Sequence, residues 1–249
     1  MALGIRDVSG EAILLAGGAR AILLQLANPG VGHGVAEHSR FAEHPLDRLH
    51  GTLTYLYVTV YGTPDEARAV ARAVGGAHAP VRSAEYDARD PALQLWVAAT
   101  LYDTAMRVRE LVFGPTGEAD AQTLLDDYAI VGTALGLPRS AWPADRAAFA
   151  AYWNASVARL LVDDVARSVA RELLDPVSAP WWLRAAMPTV RLVTAGLLEP
   201  ALREAYGLAF DERRFERLLR FTRAAYPRLP RRLRQAPMRH YLRAFRRAS

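Results

Sequence analysis

"RAVARAVGGAHAPVRS", residues 68–83, reads as an amphipathic helix with one anomaly. Apolar side chains recur at steps of three and four along one face: Ala67, Val70 and Val74, then His78, then Val81. That period is helical and not the alternation of a half-buried strand. The start is signalled just upstream by "GTPDEARAV": Thr63 stands as N-cap, Pro64 takes the first helical position, and Asp65 and Glu66 put acids in the first turn. The helix is expected to end near Arg82. A histidine therefore sits where the stripe asks for a leucine.

The same period recurs through most of the 249 residues, of which 51% are hydrophobic. Alanine and leucine dominate and β-branched clusters are few, so the chain reads as all-α. Helices are expected at 9–27, 31–39, 45–61, 91–113 (Asp90 as cap, Pro91 next), about 118–136, 143–174, 180–206 with breaks at Pro188 and Pro200, 211–225 and 238–247. About ten helices of this size suffice for one sizeable core. No repeat or linker divides the chain, which reads as a single globular helical domain over 1–249.

There is no cysteine, which excludes disulfides, thiolate metal sites and Cys/His catalysis. There is no lysine either: all 31 basic residues are arginine. The N-terminus lacks a basic region before its apolar run, and Arg20 interrupts that run. It is expected to be neither a signal peptide nor a spanning helix, and the expected compartment is the cytoplasm. The net charge of +5 is uneven: residues 211–249 hold 13 arginines against Asp211, Glu212 and Glu216. The ordinary use of this basic C-terminal segment is a solvated helical face paired with the acidic remainder. Docking to an anionic membrane or to nucleic acid is the alternative. No nucleic-acid motif accompanies it, so nucleic acid is not an expected partner and peripheral membrane contact is the alternative retained.

Four histidines come early, His33, His38, His44 and His50, but at spacings of five and six, which do not share a helix face. No pair of Glu-x-x-His motifs is present, so a bare metal site built from them is not expected. Neither a phosphate loop nor a nucleophile elbow occurs. His78 differs. Gly75, Gly76, Ala77 and Ala79 leave the surface around it almost bare, and each helical glycine costs about 1 kcal/mol relative to alanine. Close approach of another backbone would offset that cost, and so would a large flat ligand. An imidazole on a bare apolar wall suits the proximal side of a haem iron, while a core histidine with satisfied nitrogens is the plainer alternative. On the preceding helix a second stripe, Arg48, Thr52, Tyr55 and Thr59, runs beside the core stripe Leu46, Leu49, Leu53, Leu56 and Val60. Arg48 and Thr52, four apart, could hold an anion or an iron-bound oxygen species. Otherwise Arg48 is a rim residue paired with Glu43 or Asp47.

Several ordered segments carry a family resemblance: "LLQLANPGVGHGVAEHSRFAEHPLDRLHGTLTYLYVTVYGT", "AVGGAHAPVRS", "YDARDPALQLWVAATLYDTAM" and "GPTGEADAQTLLDDYAIVGTALGLP". Together, over about residues 12–207, they resemble the latex-clearing rubber oxygenases and the fungal oxygenase that trims the farnesyl chain in mycophenolic acid synthesis. The resemblance implies a globin-reminiscent helical fold, haem b as cofactor and dioxygen as co-substrate. It also implies cleavage of a carbon–carbon double bond in a small hydrophobic substrate such as an isoprenoid. The family's proximal histidine, in H-x-x-V, matches His78 with Val81, and its R-x-x-x-T motif matches Arg48 and Thr52. On the same footing His38 would approach the pocket, Asp103 and Arg107 would form a pair or meet a haem propionate, and Leu53, Leu56, Trp96, Val97 and Leu101 would wall it.

The chain also departs from the family. Gly51 stands where rubber oxygenases place a lysine that reaches the iron, Asn28 precedes Pro29 where many relatives have histidine, and Ala98 replaces another histidine. These departures leave His78 as the axial candidate and imply a pocket reshaped for a different substrate. A non-catalytic haem or hydrophobic-ligand carrier would use the same His78.

Overall fold

In a computed structural model of the chain, residues 3–36, 49–83, 86–177 and 179–248 are described in full, and 37, 38 and 45–48 by backbone alone. Their regular structure is helical. In order come α1 (Ile5–Val8), a 3-10 segment (Ala12–Gly17), α2 (Gly18–Leu26), α3 (Pro29–His38), α4 (Pro45–Tyr61) and α5 (Pro64–His78). Then follow α6 (Pro91–Phe113), α7 (Glu118–Thr133), α8 (Arg146–Val157), α9 (Asp164–Leu174) and α10 (Trp181–Leu197). The chain closes with α11 (Pro200–Ala205), α12 (Glu212–Ala225), α13 (Arg231–Arg234) and α14 (Ala236–Ala248). The all-α class read from periodicity is the class observed.

Local chemistry sets most boundaries. At α5 the Glu66 amide donates to the Thr63 hydroxyl (3.2 Å) and the Thr63 amide to the Glu66 carboxylate (2.8 Å), a reciprocal cap. Aspartates 90, 145, 163 and 211 accept first-turn amides in the same role. The helix expected over 143–174 divides into α8 and α9: α8 closes at Ala158, and α9 starts afresh at Asp163, whose extended backbone (φ −82°, ψ −177°) a helix cannot pass through. The helix expected over 9–27 likewise divides, its first part being 3-10. Pro188 does not break α10, which runs through it and ends where Leu198 turns extended. Helix α5 stops at His78 rather than near Arg82, because the chain then folds back: the Ser83 amide donates to Tyr86 O (2.8 Å) and the Ala88 amide to Val81 O (3.0 Å).

Helix α6 is largely buried from Trp96 to Val112 and organises the core, leaving Arg107 exposed on a short polar face. One apolar cluster joins it to α4, α7, α8 and α14. There Tyr102 meets Tyr128, Trp142 and Phe149 edge-on at ring-centroid distances of 5.3, 6.1 and 4.8 Å. The other joins it to α2, α3, α9 and α10 through Trp96, whose indole N–H donates to Leu24 O (3.1 Å). Helix α14 lies along α4, with the Tyr241 ring against Tyr57 (5.7 Å) and His50 (5.8 Å). Arg231, Arg234 and Arg246 pair with Asp7, Glu11 and Glu66 of the body. No single helix among the described residues is long and apolar enough to cross a membrane.

Helices α2 and α3 meet at a tight corner. A Cβ on Gly32 would lie 2.5 Å from the Leu26 carbonyl oxygen, a backbone atom that cannot rotate away. Gly32→Ala is therefore expected to lower stability by about 1–3 kcal/mol, read as a reduced melting temperature, because the corner must open.

Candidate functional site

Between the two apolar clusters lies a cavity of about 400 Å³, within the range of small-molecule pockets, roughly 300–1,000 Å³. Seven consecutive parts of the chain line it. Helix α2 contributes Gln25; α3 contributes Gly30, Val31, Gly34 and Val35; α4 contributes Gly51, Thr52 and Tyr55. Helix α5 contributes Val74, Ala77 and His78, and the returning turn Val81, Tyr86 and Ala88. Helix α6 adds Leu93, Gln94, Val97, Ala98 and Leu101; α7 and its C-terminal end add Val131, Gly132 and Leu135. The surface is mostly apolar.

The structure brings His78 and Thr52 to this one cavity, with Gly51 beside them. His78 is half-buried at the last turn of α5 and is the one imidazole among the described lining residues. Among the described residues, close approach of another backbone does not account for the glycine pair before it: a Cβ on Gly75 or Gly76 would meet none of their atoms within 4 Å. Gly51 is open in the same sense, whereas Gly34 is close to a neighbour, its Cβ position lying 3.1 Å from the Tyr86 ring. The Arg48 and His38 side chains, and His44, lie outside the described residues.

The other expected residues go elsewhere. Val97 and Leu101 are wall residues, but Leu53 and Leu56 face the α4–α7 core and Trp96 faces the opposite cluster. Arg107 belongs to a separate ion cluster. Arg20, fully buried, donates to Leu197 O (2.8 Å), Thr104 Oγ1 (2.8 Å) and Glu199 Oε1 (2.8 Å), with Asp103 Oδ2 2.7 Å away. Arg107 reaches the same Glu199 oxygen at 3.0 Å. The i,i+4 spacing of Asp103 and Arg107 is real, but their nearest charge partners come from α2 and from Glu199, distant in sequence. His33 pairs with Asp163 (3.0 Å), tying α3 to α9, and His50 packs on Tyr241. Among the described residues no three His, Asp or Glu side chains converge in a way that would hold a bare metal ion.

Three polar side chains of the wall escape a sequence reading. Gln25 and Gln94 each interrupt a leucine run, "LQL" in both cases, and that repeated interruption is the signal that marks them. The Gln25 amide donates to Thr100 Oγ1 (3.0 Å), so α2 and α6 are fixed across the cavity floor. Tyr86 arrives only through the turn after α5. Tyr55 donates its hydroxyl to Val131 O (2.5 Å), and burial pushes its pKa up, so it stays a neutral bridge between α4 and α7.

A helical protein with an apolar cavity whose described wall carries an imidazole and a few hydroxyls has the form of a small-molecule enzyme or ligand carrier. Comparison with known families decides the class. Residues 6–224 match the family described as the ER-bound oxygenase mpaB/B'/rubber oxygenase catalytic domain. The chain belongs to that family. It is 38% identical over 224 residues to an uncharacterised protein of Mycobacterium bovis and to one of Mycobacterium tuberculosis, covering 85% of this chain and 88% of each relative. No solved structure matches it.

Proposed function

We propose that the chain is a haem-b-dependent oxygenase that acts with dioxygen on a small hydrophobic substrate in the cavity of about 400 Å³. The observation that carries this is the convergence of His78 and Thr52 on one apolar cavity in a chain of an oxygenase family. The wall fits the cofactor. It offers one imidazole as an axial donor, it holds no competing cysteine, methionine or lysine among its described residues, and open space surrounds the Cβ position of Gly51. A bound haem would supply the activation of dioxygen. The chain's own residues supply the rest. His78 would hold the haem iron. The Thr52 hydroxyl donates a hydrogen bond to oxygen or to a polar end of the substrate. The valines and leucines exclude water and orient an apolar chain, and Gln25 and Gln94 add polar groups to the wall. No carboxylate lines the cavity among the described residues, so proton transfer there falls to Thr52, Tyr86 or water.

The test is turnover. Haemin-loaded protein is given dioxygen and short isoprenoid alkenes, and carbonyl products are sought by mass spectrometry. Oxygen uptake with matching carbonyl products is expected. Full haemin loading with no product and no oxygen uptake across the panel would reduce the protein to a carrier.

Gly51→Phe separates the site from the fold. No described atom lies within 4 Å of a Cβ there, and replacing a mid-helix glycine gains up to about 1 kcal/mol of helix stability. The melting temperature is expected to hold or rise, while haemin affinity falls at least about tenfold, equal to 1.4 kcal/mol, in an absorbance titration.

A further inference from the structure

The C-terminal arginines divide into two sets. Arg231, Arg234 and Arg246 meet acids of the body. Arg232, Arg239, Arg243 and Arg247 meet none among the described residues, and they line a groove of about 500 Å³ along α13 and α14. Arg239, Arg243 and Arg247 recur every four residues, so they form one line down α14, on the side away from Met238 and Leu242, which are buried against the body. No acid follows Glu216 in the sequence, so nothing from this segment neutralises the line. Ala236 and Ala244 keep the groove shallow between the guanidiniums. At its edge Leu233 is 61% exposed, and Leu229, just before α13, is 43% exposed.

We propose that the face formed by Arg232, Arg239, Arg243 and Arg247 with Leu229 and Leu233 docks the protein onto an anionic lipid surface. A straight row of guanidiniums can meet the phosphates of a flat membrane together. Exposed leucines beside it add the second, apolar contact that stable interfacial binding needs. The exposed Leu233 in the groove and Leu229 just before α13 have no use against a phosphate backbone but can enter the interfacial region of a membrane, which favours lipid over nucleic acid.

The experiment is co-sedimentation of the full chain with vesicles of phosphatidylglycerol in phosphatidylcholine, and with phosphatidylcholine alone. Binding to the anionic vesicles that weakens with salt is expected. Replacing the four arginines by glutamine is expected to reduce it roughly a hundredfold or more, at about 1 kcal/mol for each basic residue, while replacing them by lysine retains most of it. Circular dichroism checks that both variants fold. Equal binding to neutral vesicles, no loss in a folded glutamine variant, or binding to a duplex oligonucleotide without binding to vesicles would overturn the proposal.

Discussion

Arg20→Met is expected to be the most damaging single substitution, lowering stability by about 3–5 kcal/mol and the melting temperature by roughly 10 °C for a chain of this length. Arg20 is fully buried and gathers Asp103, Glu199, Thr104 and the Leu197 carbonyl at 2.7–2.8 Å. It thereby joins α2, α6 and the α10–α11 junction. Methionine fills much of its volume, so the loss is electrostatic and not a cavity: two carboxylates remain behind, with Arg107 the one other cation paired to them among the described residues. The effect depends on pH. Burial holds the Asp103 carboxyl above the usual carboxylate range, and Arg20 opposes that rise. A folded pKa above the unfolded one means that the folded state binds more protons, so this group favours folding in acid and loses that contribution as pH rises through its folded pKa. Without Arg20 the rise is greater. The deficit of the variant is therefore expected to be largest at neutral pH and to narrow on acidification, which thermal melts at several pH values measure. A deficit independent of pH would mean that the cluster acts through packing alone.

His78→Ala carries the largest expected effect on function. The side chain is half-buried at a helix end, so the fold is expected to survive with its melting temperature little changed. Haemin binding is expected to weaken by at least about tenfold, equal to 1.4 kcal/mol, and the Soret band to shift as the axial imidazole is lost. Free imidazole added to the variant is expected to restore the spectrum, which repair of a merely structural histidine would not do. An unchanged spectrum and affinity would return His78 to the ordinary core.

The legible parts of this protein are those that neighbours in sequence decide. The bounds of α4 and the starts of α5 and α6 follow from Pro45, Thr63–Pro64 and Asp90–Pro91, each a local signal. His78 and Thr52 are visible as misfits beside regular apolar stripes, and the cavity explains both departures. What sequence hides is long-range. Arg107 has Asp103 one turn away, yet Asp103 lies against Arg20, whose place in an apolar run shows only that something unusual must satisfy it. Trp96 and Val97 are adjacent but serve different parts of the core, the second apolar cluster and the cavity wall, a distinction that no stripe reveals on a helix so largely buried. Tyr86 reaches the cavity only because the chain reverses after α5, and α5 ends a turn earlier than its stripe continues because Val81 is held by that reversal.

The most direct measurement is an absorbance titration of the purified wild-type chain with haemin beside Gly51→Phe. The account requires a Soret band distinct from free haemin that saturates at one equivalent per chain and is weakened in the variant. A spectrum of free haemin throughout, or an identical titration with the cavity obstructed, would contradict it.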